Sequence, residues 1–280
     1  MQIYYISAER ERIDFDGKTY GISEMDVFGH EMSYKIKEEK IIEFEKKIKE
    51  NELEINISDD KEGTWQEHYD YINKIFERDS LNNKKGKLYV NGRYLACNIY
   101  ACEVEDQFRN WCDFQVCKLR IVTDEPVWIT EKTFQFARYK GDGARKFLNF
   151  PFNFPYNFTG VKKGVGVLAN DNYAPAHFTM LIYGNNYASI ENPSVEIGGY
   201  TYTVHTTVND MESLRIDSKN RTIKKILANG TEVDEFNSRN FHNSVFEKIK
   251  PGTQTVKWSG EYDIILTIYQ ERSEPRWNPE

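Results

Sequence analysis

The chain has little of what usually marks a membrane, secreted or metal-dependent protein. None of its apolar runs reaches the roughly 18 residues that a membrane-spanning helix needs. The stretch from Met1 to Arg10 has no basic segment followed by an apolar one, so no signal peptide is expected and the chain should fold in a cytosol. There are only 4 cysteines, all between Cys97 and Cys117, spaced C-x4-C-x9-C-x4-C rather than in the close C-x2-C pairs of zinc sites. A hairpin turning near Gln107 would set Cys102 opposite Cys112 and Cys97 opposite Cys117. Cys97 and Cys102, five apart, would then point to opposite faces, and four thiolates could not meet on one metal. The expectation is small buried apolar residues in a reducing compartment, with a disulfide formed only after cell lysis as the alternative.

The signatures of catalysis are equally thin. The 5 histidines (His30, His68, His177, His205 and His242) are scattered and form no HxH or HxxxH pair. There is no G-x-S-x-G, P-loop or G-x-G-x-x-G pattern, and Lys163-Gly164-Val165-Gly166 is not followed by a helical pattern. Glu103, Glu105, Asp106, Asp124 and Glu125 sit at turns and strand ends, where carboxylates are ordinarily solvated. Net charge is −7, with 37 basic against 44 acidic residues and no basic stripe, which argues against a grip on nucleic acid. No enzyme, cofactor or metal site is expected.

What the chain does have is 280 residues, enough for two β domains, with 18 Tyr and 17 Phe, which suit half-buried pleated surfaces. Residues 3–15 fit a first strand before a turn at Asp16-Gly17. Residues 18–36 are weakly patterned, and 37–50 fit either a charged helix or a strand. Leu53, Ile55 and Ile57 alternate with polar residues, as in a strand with one buried face. Thr64 and Glu67 have capping-box spacing, and Trp65, Tyr69, Ile72 and Phe76 form a helical stripe that fades near Asp79-Ser80. Strand-like runs follow at Lys87–Val90, Tyr94–Glu103 and Asp113–Thr123, the first two joined by Asn91-Gly92, a tight-hairpin signal. These predict an N-terminal α+β domain over 1–135, an antiparallel sheet or split barrel with one helix.

Residues 136–175 are expected to connect the domains. Within them Phe147, Phe150, Phe152, Phe154, Tyr156 and Phe158 are interleaved with Asn and Pro, which excludes a helix or central strand. So many aromatics need cover, either from their own chain, between domains, or from a neighbouring subunit. From 176 to 280 short strands recur with turns about every ten residues, among them Gly198-Gly199 and Asn229-Gly230, as in a β-sandwich or jelly roll. Thr253–Trp258, Ser259-Gly260 and Glu261–Gln270 are expected to close it as a hairpin. The overall class is mostly β.

The segment Pro251-Gly252-Thr253-Gln254-Thr255-Val256-Lys257-Trp258-Ser259-Gly260, followed by a strand and then Glu271-Arg272-Ser273-Glu274-Pro275-Arg276-Trp277, resembles the end of the distal tail proteins of tailed bacteriophages. Trp65-Gln66-Glu67, the run Gly86 to Gly92, the run Lys118 to Trp128, Asn172 to Phe178 and Phe241 to Phe246 extend the resemblance over nearly the whole chain. It implies a galectin-like C-terminal sandwich and an N-terminal domain that builds a six-fold ring, single or doubled. It also implies docking to the tail tube protein on one face and to tail-tip, baseplate or receptor-binding proteins on the other. The place would be the virion tail tip, after synthesis in the bacterial host cytoplasm, with no direct nucleic-acid or membrane binding. Arg272, Glu274, Arg276 and Trp277 could then be a docking tail, since Arg and Trp anchor interfaces; the other reading folds this segment back on the sandwich. A galectin-like sandwich also raises a carbohydrate-binding alternative, which fold analogy alone does not carry.

Overall fold

The structure, a computed structural model, describes residues 1–104, 114–138, 164–184 and 189–278. The chain divides into two compact units. One contains Met1–Thr130 together with Glu271–Glu280, and the other contains Glu131–Gln270.

Among the described residues the first unit is an antiparallel sheet with one helix. Its strands are β1 (Ile3–Ile6), β2 (Arg12–Asp14), β3 (Tyr20–Met25), β4 (Ser33–Lys37), β5 (Lys40–Glu45), β6 (Lys49–Ser58), β7 (Gly86–Val90), β8 (Arg93–Val104) and β9 (Phe114–Thr123). The strand β10 (Trp128–Phe136) begins here and runs into the second unit. β8 organises the sheet, because its first half pairs with β7 and its second half with β9. From β7 the order continues to β1 and β2, and from β9 to β6 and β3. Leu53, Ile55 and Ile57 of β6 are fully buried, as their alternation predicts. Opposite them stand Leu119 and Cys117 of β9.

The helix α1 (Trp65–Leu81) buries Ile72, Ile75, Phe76 and Asp79 against this sheet. Its start is fixed as expected: Glu67 accepts a hydrogen bond from the Thr64 amide at 2.9 Å, and Asp59 accepts from the Trp65 amide at 2.6 Å. Asp79 is buried by design, accepting from the Tyr5 hydroxyl (3.1 Å) and the Ala8 amide (3.0 Å). That ties the helix to the β1–β2 turn.

Three local expectations change here. Residues 3–15 are a hairpin rather than one strand. The Ser7–Arg10 turn is closed by Ser7 and Glu11 (amide to carbonyl, 2.8 Å), with Arg10 at φ 71°, and contains no Gly or Pro to signal it. Residues 33–45 are a second hairpin, β4–β5, and pair with no other strand among the described residues. In β8 and β9 the cysteine register is shifted. Cys117 stands opposite Val104, Cys102 opposite Leu119, and Cys97 opposite Gly86 of β7. A bulge between Ile99 and Ala101 adds a residue, so Cys97 and Cys102 pack into the same core instead of facing opposite sides. Cys112 lies outside the described residues.

The second unit is a two-sheet sandwich. Its further strands are β11 (Gly164–Asn170), β12 (His177–Tyr183), β13 (Ile190–Glu191), β14 (Ser194–Ile197), β15 (Tyr200–Thr203), β16 (Thr207–Val208), β17 (Ser213–Asp217), β18 (Thr222–Ile226), β19 (Glu232–Asp234), β20 (Gly252–Trp258) and β21 (Asp263–Arg272). One sheet runs β19-β18-β17-β12-β21 and the other β11-β20-β14-β15. Phe178, Met180, Leu214, Ile216 and Leu266 from the first meet Leu168, Val195, Tyr202 and Val256 from the second in one core.

β20 and β21 are not the hairpin the sequence suggests. β20 pairs with β11 and β14, β21 pairs with β12, and Ser259-Gly260 carries the chain from one sheet to the other. Gly164 and Gly166 lie in β11, inside the expected connector. A Cβ on Gly164 would come within 2.3 Å of the Trp258 ring, and one on Gly166 within 2.4 Å of Phe136. Their glycine spacing is therefore a packing requirement beneath two aromatic rings.

Candidate functional site

The expected docking tail is seated on the first unit, not on the sandwich. Asn91 makes the seat. It occupies the first position of the β7–β8 turn at φ 48°, with Gly92 at 82°, the geometry that Asn-Gly supplies at least cost. In this position its Oδ1 accepts from the Gln2 amide (2.9 Å), while its Nδ2 donates to the carbonyls of Arg276 (2.8 Å) and Trp277 (3.0 Å). Arg93 donates to the Glu274 carbonyl at 2.9 Å, and the Glu274 carboxylate meets His30 Nδ1 at 2.7 Å. Pro275 is buried. Trp277 stacks on Phe28, ring centres 3.9 Å apart and 19° from parallel, yet remains 68% exposed. So Glu274 and the backbone of Arg276 and Trp277 are held by their own chain, while Trp277 turns its outer face to solvent. Arg272 ends β21 and is half-buried, its Nη1 donating to the Glu271 carbonyl at 2.8 Å.

The other expected contact set, Phe147, Phe150, Phe152, Phe154, Tyr156 and Phe158, lies outside the described residues.

In the second unit a groove of about 630 Å³ is lined by Glu191, Asn192, Glu196, Lys257, Trp258 and Glu261, among others. Lys257 pairs with Glu196 at 2.8 Å across β20 and β14. Trp258 is no platform for a sugar ring. It is 7% exposed, its indole N–H donates to the Tyr262 carbonyl at 3.0 Å, and the Gly164 backbone and the tilted Phe136 ring pack against it.

The surface that sequence reasoning missed is the β4–β5 ribbon. Tyr34, Ile36, Ile41, Ile42 and Phe44 are each more than half exposed there. Alternation of apolar and charged residues on both sides of Glu38-Glu39 was the available signal. Among the described residues no group of three His, Cys, Asp or Glu side chains could hold a metal ion, and no helix is long and apolar enough to cross a membrane. The three described cysteines are free. Burial pushes the Cys97 thiol up to about 12. The Cys117 thiol donates to the Cys102 sulfur, which raises the pKa of Cys117 and lowers that of half-buried Cys102.

No protein-family model and no curated protein matches the sequence. Solved structures do match the fold. The Dit (gp 19.1) protein of SPP1, described as a paradigm of the hub adsorption apparatus in phages infecting Gram-positive bacteria, superposes with a TM-score of 0.58 at 12% identity, over 96% of this chain and 99% of that one. A chain of the phage p2 baseplate in its activated conformation with Ca superposes with a TM-score of 0.59 at 10% identity, over 98% and 99%. The same baseplate with Sr gives 0.58 at 10% identity with the same coverage. The chain thus shares the mostly β fold of these phage hub and baseplate structures over nearly its whole length.

Proposed function

We propose that this chain is a structural, non-enzymatic component of a phage-type tail tip. It would form a hub ring of six copies, single or doubled, that joins the tail tube to tip, baseplate and receptor-binding proteins. The observation that supports this is the match over 96% of this chain and 99% of the hub protein's chain. The physical chemistry agrees. The first unit gathers five exposed apolar side chains on one hairpin, a contiguous patch of the kind that often marks a contact surface. The outer face of Trp277 offers a second partner an anchor beside Phe28. Trp258, the residue on which a lectin reading leans, is committed to the sandwich core.

Purified protein examined by native mass spectrometry and negative-stain microscopy tests the proposal. Hexamers or stacked double hexamers with a central hole are expected. A monomer at every concentration, with no ring in the micrographs, would count against it.

A further inference from the structure

We infer that the β4–β5 ribbon is an arm whose apolar face seats in the groove between α1 and β8 of a second copy of this chain. This rests on the ring proposed above and assigns the contact that closes it. The ribbon is two-faced. Tyr34 stands opposite Phe44 and Ile36 opposite Ile41, and the register shift between Lys35 and Ile36 brings Ile42 in beside them. These five side chains share one side. The other side carries Lys35, paired with Glu43 (3.2 Å) and Glu45. A two-stranded ribbon alone is marginal in water, and it gains a buried side only from a partner. At more than half exposure each, the five side chains present on the order of 500 Å² of apolar surface, the larger part of the ~800 Å² that one partner gives to a standard interface.

The receiving surface is in the same unit. A groove of about 360 Å³ runs between α1 and β8, with buried Phe76 and Ile99 beneath it and Asn73, Glu77, Ser80 and Cys102 also in its lining. Leu81 stands at its edge 79% exposed, and Tyr100, turned outward by the β8 bulge, is 45% exposed. A ridge and a groove at different places on one molecule make a head-to-tail contact, and such contacts close into rings when the rotation per copy permits. A ridge meeting its own copy would instead stop at a dimer.

The test replaces Phe44 with the photoreactive p-benzoyl-phenylalanine in the full chain and maps adducts by mass spectrometry after irradiation. Adducts to another copy within residues 71–81 or 99–102 are expected. In parallel, the double variant Ile42→Glu/Phe44→Glu should match the parent's melting temperature at concentrations where both are monomeric, because both side chains are exposed in the single chain, while its assembly midpoint rises by at least ~30-fold. Adducts confined to the same chain, or only to the ribbon of another copy, would overturn the inference. A double variant that assembles like the parent protein would overturn it and leave the ring itself standing. A parent protein that stays monomeric and gives no adduct overturns both.

Discussion

At the scale of single residues, the first unit depends on polar groups placed where only one or two residue types serve. Asn91 tolerates the left-handed turn conformation and also supplies an amide for two carbonyls of the C-terminal segment. The turn was legible from Asn-Gly; the clamp was not, because its partners lie 185 and 186 positions away. The cysteines show the same limit. Their burial followed from residue type, but their register depended on a bulge at Tyr100 that no local signal marks. Their environments now differ enough to be separated chemically. With iodoacetamide at pH 8, Cys102 should be alkylated at least ~tenfold faster than Cys97 or Cys117 in the non-assembling ribbon variant. Peptide mapping reads the order, and equal labelling of Cys97 would contradict it. Seating of a neighbour's ribbon over the groove should slow Cys102 alone.

At the scale of elements, legibility tracked turn chemistry. α1 was readable because Thr64 and Glu67 mark its start and its stripe is long enough to display a period. The β7–β8 and β14–β15 hairpins were readable from Asn-Gly and Gly-Gly. The ribbon was hidden because its two-residue turn is Glu38-Glu39, at φ 50° and 62°, where glutamate is a poor occupant. Its Lys/Glu content also imitates a helix. The strain is testable: Glu38→Asn/Glu39→Gly should stabilise the ribbon by about 1–2 kcal/mol. Hydrogen exchange should show slower exchange at β4 and β5 amides and little change in β6 to β9. Faster exchange in the ribbon would show that the turn is not strained. The β20–β21 connection failed for a different reason. A short polar turn between two apolar runs looks the same whether the runs pair with each other or join separate sheets.

At the scale of the whole molecule, the sequence suggested two domains in series, whereas the chain leaves the first unit through β10, builds the sandwich and returns through β21. Nothing local announces a return. It is established by contacts such as His30 with Glu274 and Phe28 with Trp277. Deleting residues 273–280 should therefore weaken the first unit by about 2–4 kcal/mol, the sum expected for its lost hydrogen bonds and ring stacking. The sandwich should keep its stability. Hydrogen exchange resolved by unit would read this, and a loss confined to residues 131–270 would be the contrary result.

This return of the chain orders events during synthesis. Domains generally fold as they emerge from the ribosome, first residues first. Here residues 1–130 emerge first but are joined by residues 271–280 only after the whole sandwich sequence has followed, so the unit that begins first is completed last. A chain shortened just before Ser273 would keep every strand of the sandwich yet leave Asn91 Nδ2 and the Phe28 ring without their partners in the C-terminal segment.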